Sequence, residues 1–203
     1  MKVGAKRNHQ PFNKVLTTGW GGSSLCGWHH SSGGPPVTNH PRALDALAAA
    51  DAAELEAILL EICSSPRWAA AVAKARPWPD RSALLAANAA AMESLTVGDL
   101  HDAMAGHARI GEPKAGDATS EREQAGVQGV DQALLDELHR ANAAYEAKFG
   151  HVFLICATGR TAATMLAALR ERYPNDPAAE AEIVRGELRK INDIRINRLL
   201  DKS

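Results

Sequence analysis

An all-α fold, built as a single compact multi-helix domain, is what this sequence predicts, and three observations carry it. Alanine runs recur (Ala48-Ala49-Ala50, Ala86-Ala87, Ala89-Ala90-Ala91) while aromatic residues make up only 4%. Alanine is the strongest helix former, and it lets helix backbones approach closely. Apolar residues amount to 45% of a chain of 203, enough for one sizeable core and little more. From His40 onward, helix start and stop signals follow one another without any internal repeat.

Residues 1–40 differ in character. Gly21-Gly22-Ser23-Ser24 and Ser31-Ser32-Gly33-Gly34-Pro35-Pro36 lie in a stretch with no sustained helical period. Such a composition buries too little apolar surface to offset ordering, and it predicts a disordered N-terminal extension. The helical domain is expected over residues 41–203. Within it, Asp51-x-x-Glu54 has the spacing of a capping box, ahead of Leu55, Ile58, Leu59 and Ile62 on one face. Ser65-Pro66 joins an N-cap to a proline at the first helical position. Asp80 caps a helix carrying Leu84, Leu85 and Met92. Thr96 caps another with Leu100 and Met104, and Gly106 is its C′ residue. His107 then stands at a helix exit.

The connection from His107 to Ala118 contains two glycines and one proline, as suits a binding loop between rigid helices. Ser120 starts a short helix that ends near Gly126 to Gly129. Asp131 caps a longer one carrying Leu134, Leu135, Leu138, Asn142, Tyr145 and Phe149, stopped by Gly150. Val152 to Ala157 is a continuous apolar run, and periodicity does not separate a buried extended segment from the start of a helix. Thr161 to Arg172 reads as a helix on Met165, Leu166 and Leu169. A final long helix from Pro177 to Leu200 uses Ile183, Val184, Ile191, Ile194 and Leu199.

The formal net charge of −1 carries no electrostatic footprint of nucleic-acid binding. No run approaches the roughly 18 apolar residues of a membrane span. Lys2, Lys6 and Arg7 are not followed by the apolar region of a secretory signal. The ending Leu200-Asp201-Lys202-Ser203 lacks the leucine of a peroxisomal Ser-Lys-Leu address. Cys26, Cys63 and Cys156 are odd in number and far apart, and they read as reduced thiols of a cytoplasmic protein. Cys26-x-x-His29-His30, with His40, has zinc-ligand residue types but no ordered frame for four ligands. No metal is expected.

Candidate chemistry gathers around His107. An unperturbed imidazole titrates near pH ~6.5, which suits general acid–base work, yet a histidine at a helix end also reads as a cation favoured by the helix dipole. Ser120-x-x-Glu123 brings a hydroxyl and a carboxylate, but the same spacing makes a capping box, and a capping carboxylate does not freely orient His107. Gln124 adds an amide. Arg160, between Gly159 and a helix, is either a bidentate partner for a carboxylate or an exposed solubilising cation. If Phe153 to Ala157 is extended and reaches the same place, its unpaired amides and carbonyls are available to a polar ligand.

Several separated blocks carry a resemblance: Gly106-His107-Ala108-Arg109-Ile110-Gly111-Glu112, Thr119-Ser120-Glu121-Arg122-Glu123-Gln124-Ala125-Gly126, and Val152-Phe153-Leu154-Ile155-Cys156-Ala157 before Gly159-Arg160. Cys63-Ser64-Ser65-x-x-Trp68, Ala75-Arg76-Pro77-Trp78, Asp99-Leu100 and Asn142-x-x-Tyr145-x-x-Lys148-Phe149-Gly150 extend it from about residue 42 to 200. In this combination the chain closely resembles the OHCU decarboxylase family, which converts 2-oxo-4-hydroxy-4-carboxy-5-ureidoimidazoline to allantoin, the last step of urate oxidation.

The resemblance implies an all-helical, cofactor-free carboxy-lyase that acts on this small molecule as a homodimer, and composition adds a cytoplasmic location with no nucleic-acid or membrane partner. It implies His107 as the catalytic acid/base. It also implies a substrate site lined by Ala108, by Ser120, Glu121, Arg122, Glu123 and Gln124, and by Phe153, Leu154, Ile155, Cys156 and Ala157. Glu123 is expected to orient the His107 ring, and Ser120, Gln124 and backbone near Ile155 to hold the ureido and ring groups. Arg160 is the candidate for anion recognition. The substrate's carboxylate sits on a carbon that bears a hydroxyl and adjoins an imine, so the ring itself can take the electrons and no cofactor sink is required. One position departs from the family pattern His-Pro-x-Ile-Gly: Ala108 replaces the proline, loosening a turn that proline would fix. A non-catalytic helical module binding a ureido or purine-derived ligand through the same residues is the alternative.

Overall fold

In the computed structural model, residues 41–113 and 115–202 are described, and they form nine α-helices, one short 3-10 turn and no strand. The helices are α1 (Pro41–Ala49), α2 (Ala52–Ile62), α3 (Pro66–Lys74), α4 (Arg81–Glu93), α5 (Val97–Met104), α6 (Ala118–Glu123), α7 (Gln132–Phe149), α8 (Ala162–Arg172) and α9 (Pro177–Asp201). The all-α expectation is met. The extension expected over residues 1–40, with Cys26, His29, His30 and His40, lies outside the described residues.

Local capping explains most of the starts. The Asp51 carboxylate accepts the N–H groups of Ala53 and Glu54 at 3.0 and 2.9 Å, although Glu54 returns no bond and the box is half made. Ser65 accepts from Trp68 N–H and Asp80 from Ala83 N–H. Thr96 and Asp99 close a full capping box, as do Thr161 and Thr164. Two expectations change. The side chain of Asp131 makes no capping bond at the head of α7. Helix α6 starts at Ala118, two residues earlier than expected, because Asp117 accepts from Thr119 and Ser120 N–H. Ser120 therefore lies buried inside the helix and does not cap it. In α1, Leu44 and Leu47, one turn apart, are buried in the core.

Helix α9 is the axis of the domain, with α1, α2, α4 and α5 packed on it. Of the expected apolar face, Val184 and Ile191 are fully buried, while Ile183, Ile194 and Leu199 are half-buried. Leu188, Ile196 and Leu200 complete the buried set, together with Glu180, Glu187 and Asn192. Neighbours on several sides leave no single apolar stripe on this helix.

Two apolar clusters result, one from α1–α5 with α9, the other from α7, α8 and the adjoining loops. Val152 to Ala157, neither helix nor strand, runs between them with the side-chain alternation of an extended chain. Side chains alternate across an extended backbone. Leu154 and Cys156 accordingly join the first cluster, and Phe153, Ile155 and Ala157 the second. Gly150, left-handed at φ 76°, ends α7 as expected and turns the chain into this segment.

A buried polar network holds the extended segment. Arg172 donates to the Leu154 carbonyl at 2.8 Å and to Glu180 Oε1 through Nε at 2.9 Å and Nη2 at 2.5 Å. Tyr145 Oη–H and Asn175 Nδ2–H also donate to Glu180. Burial, then the bond to Glu180, pushes the Tyr145 phenol well above its ordinary range. From the other side, Glu187 accepts the Cys156 N–H at 2.8 Å. The segment is thus tied to α8 and α9 through its own backbone.

Gly126 shows how closely the site-bearing pieces approach. A Cβ built there would lie 1.8 Å from the Arg160 carbonyl oxygen, a backbone atom that cannot swing aside. Gly126→Ala is expected to destabilise by about 1–3 kcal/mol, as overpacking does. At Gly106 the obstruction is only the Ser64 hydroxyl, 2.4 Å from a built Cβ, and that side chain can rotate. Gly106 is the C′ residue expected, but its backbone is not left-handed; close approach is the reason for glycine. Denaturant unfolding should therefore separate Gly126→Ala from a milder Gly106→Ala, and equal losses would contradict this packing.

Candidate active site

The His107 loop is assembled from the end of α5. The His107 N–H closes the last turn onto the Met104 carbonyl at 2.9 Å, and the chain then leaves the helix. Three side-chain hydrogen bonds set the following residues. Gln124 Nε2–H donates to the Arg109 carbonyl at 3.0 Å, Gln124 Oε1 accepts the Gly111 N–H at 2.8 Å, and Asn142 Nδ2–H donates to the Ile110 carbonyl at 2.8 Å. Gly111 has φ 92°, and a Cβ there would press on Leu138 and His139 of α7 at 3.3 Å.

This loop, α6, the extended segment and α9 enclose a cleft that is partly open to solvent. His107, Ala108, Ser120, Glu123 and Gln124 line it together with Phe153, Leu154, Ile155 and Ala157. Four residues named from the sequence stand elsewhere. Glu121 is exposed and accepts from Gly116 N–H. Arg122 is exposed on a separate groove beside α2 and the end of α9. Cys156 packs into the first cluster, where burial pushes its thiol up, with the Glu187 charge adding to the shift. Arg160 is exposed, its Nε–H on the Cys156 carbonyl at 3.2 Å.

Glu123 is not a capping residue. Arg195 of α9 grips both its oxygens, Nε to Oε1 at 2.8 Å and Nη2 to Oε2 at 2.9 Å, and donates through Nη1 to the Ile62 carbonyl at 2.8 Å. The two side chains are 13% and 17% exposed, so this fork fixes the carboxylate with little screening. Arg195 also lines the cleft, as do Asp117, Thr158, Ile191 and Ile194. Sequence reasoning missed all five. An arginine within a long charged helix reads as a solvated cation, and no local spacing links it to a carboxylate in α6.

The extended segment presents backbone as well as side chains. Leu154 O and Cys156 N–H are taken by Arg172 and Glu187, and Cys156 O by Arg160. The N–H and carbonyl of Ile155, between them, are bonded to none of the described residues, while its side chain lines the cleft. Ala108 N–H is likewise bonded to none of them, so proline would remove no protein hydrogen bond there. Ala108→Pro is expected to fold with a gain of about 0.4–1 kcal/mol from reduced unfolded-chain entropy. A large loss of melting temperature would show that the Ala108 backbone does not accept the proline angle.

Known proteins correspond to this chain over the same region. The OHCU decarboxylase family model matches residues 48–197. The uric acid degradation bifunctional protein TTL of Arabidopsis thaliana is 33% identical over 144 residues, covering 68% of this chain and 44% of that protein. This chain thus spans less than half the length of that relative. The 2-oxo-4-hydroxy-4-carboxy-5-ureidoimidazoline decarboxylase of Amia calva is 30% identical over 141 residues, covering 66% of this chain and 81% of that one. A crystal structure of OHCU decarboxylase in the presence of (S)-allantoin superposes with TM-score 0.61 at 31% identity, over 70% of this chain and 96% of its own. A crystal structure of (S)-allantoin synthase, at 22% identity and TM-score 0.61 over 77% and 53%, shares the fold. On the extent of the family match and the agreement in fold, this chain belongs to the OHCU decarboxylase family.

Proposed function

We propose that this chain decarboxylates 2-oxo-4-hydroxy-4-carboxy-5-ureidoimidazoline to (S)-allantoin and CO₂, closing urate oxidation. The observation that carries the proposal is the single cleft gathering His107, Ser120, Glu123 and Ile155 in a chain of this family. Cleavage of the bond between C4 and the carboxylate leaves an electron pair that conjugates with the adjoining C5=N imine. The resulting enol collapses to the C4 carbonyl as C5 takes a proton on one face. In this reading His107 delivers that proton, and acid–base groups so placed contribute about 10²–10⁴-fold.

Glu123, held by Arg195, orients the histidine and fixes the charge of the cleft. Ser120 and the Ile155 N–H and carbonyl hold the ureido and ring groups. Arg195 replaces Arg160 in our assignment of anion recognition. A guanidinium has five N–H donors, and three of those on Arg195 bond Glu123 and Ile62. We place the enzyme in the cytosol as a homodimer that needs neither metal nor organic cofactor.

Freshly generated substrate, followed by chiral detection of product, tests the proposal. The purified protein should produce the S enantiomer faster than the uncatalysed reaction, with chelator present. Racemic allantoin at the uncatalysed rate, with ligand still bound, would leave a ureido-binding module instead. Sedimentation should give twice the chain mass.

A further inference from the structure

We propose that Gln124 and Asn142 are positioning residues, which hold the His107 loop in its working geometry; the inference rests on the catalytic reading of His107. The described residues between Gly106 and Asp117 form no helix or strand that would hold the chain. The backbone just past His107 is instead held by amide side chains from two helices. Gln124 meets Arg109 O and Gly111 N–H with opposite ends of one amide, as the peptide group of a neighbouring strand would. Asn142 takes the carbonyl between them.

Both residues are buried, Gln124 to 5% exposure and Asn142 to 2%. Gln124 follows Glu123 directly, so one end of α6 sets the carboxylate in the cleft and the loop that carries the histidine. An amide offers two N–H groups and two lone pairs, and half of these on Gln124 are committed to the loop. Its rotation toward a ligand would release Arg109 and Gly111 together.

Asn142 separates positioning from contact, because it does not line the cleft. Its Oδ1 is buried without a partner among the described residues, a costly state. The residue retains that cost while its N–H fixes Ile110. The outer fork from Arg109 to Glu146, at 2.6 and 2.7 Å, joins a half-exposed arginine and contributes little.

Asn142→Leu and Gln124→Met remove the loop bonds with little change of volume. A displacement of about 1 Å can cost ~10²-fold in rate, so kcat should fall about 10–100-fold with KM nearly unchanged. Gly111 amide exchange should quicken in Gln124→Met, and the His107 imidazole titration followed by NMR should move in both variants. Gln124→Glu keeps the acceptor for Gly111 N–H and regains a donor for Arg109 O only when protonated. Its rate relative to the parent should therefore recover as pH falls. Should Asn142→Leu fail to fold, Asn142→Ser, too short to reach Ile110 O, takes its place.

Parent kcat in the folded Asn142 variant would overturn the proposal, as would a Gln124→Met effect confined to KM. Absence of turnover in the parent protein would instead remove the functional reading. The Gly111 exchange and His107 titration would still decide the clamp.

Discussion

His107→Asn is expected to lose about 10²–10⁴-fold in turnover and to melt close to the parent temperature. The backbone bond that ends α5, His107 N–H to Met104 O, survives any substitution of the side chain. The ring is only half-buried at the cleft, so little core contact is lost. Initial rates of (S)-allantoin formation and a thermal melt on the same preparation make the test. A folded variant with near-parent turnover would remove the acid–base role.

The largest effect on stability is expected at Arg172. Glu180 is fully buried, and Arg172 supplies two of its bonds as well as the one that holds Leu154 O. Removing one partner of a buried pair costs about 3–5 kcal/mol. At about 2–4 °C per kcal/mol for a domain of this size, Arg172→Met should melt roughly 6–20 °C lower. The pH dependence identifies the cause. Burial alone would raise the Glu180 carboxyl, but bonds from Arg172, Tyr145 and Asn175 outweigh it and hold the carboxyl below the ordinary carboxylate range.

A carboxyl lowered by folding stabilises above its unfolded pKa, about 4.3 for glutamate, and loses that contribution as pH falls through the folded value. In Arg172→Met burial should dominate and reverse the sign. The variant carboxyl then favours folding only when protonated. The gap in melting temperature should therefore narrow between pH 7 and 4. A gap independent of pH would assign the loss to packing of the arginine stem.

The helical frame was legible because its signals are local. Asp51, Ser65, Asp80, Thr96 and Thr161 each satisfy amides within their own first turn. The start of α6 was misplaced because Asp117 and Ser120 both have the chemistry of a cap, and burial of Ser120 at the cleft decides between them. The extended state of Val152 to Ala157 depends on Arg172 and Glu187, whose bonds no period in that run can reveal.

For the cleft, the residues legible in sequence are those within short blocks, His107 with Ala108 and Ser120 with Glu123 and Gln124. The partner that fixes Glu123 is Arg195, brought from another helix by the fold alone. Likewise, the run of five residues includes one, Cys156, that does not line the cleft. Continuity in sequence does not distinguish Ile155 from Cys156.

That alternation makes the connection from Gly150 to Thr161 a matter of parity. Both ends are fixed, one by the left-handed glycine that ends α7 and the other by the capping threonine of α8. Because side chains face opposite ways at successive positions, a one-residue slip exchanges the two faces of an extended chain. A single deletion or insertion ahead of Phe153 would send Phe153 and Ile155 toward α9 and turn Leu154 and Cys156 into the opposite cluster. It would also move the carbonyl that Arg172 holds. Changes of two residues preserve the facing, and an odd change is expected to be tolerated only in the exposed turn at Thr158, Gly159 and Arg160. Length in this connection is an even-or-odd quantity, and only even changes keep the wall of the cleft in place.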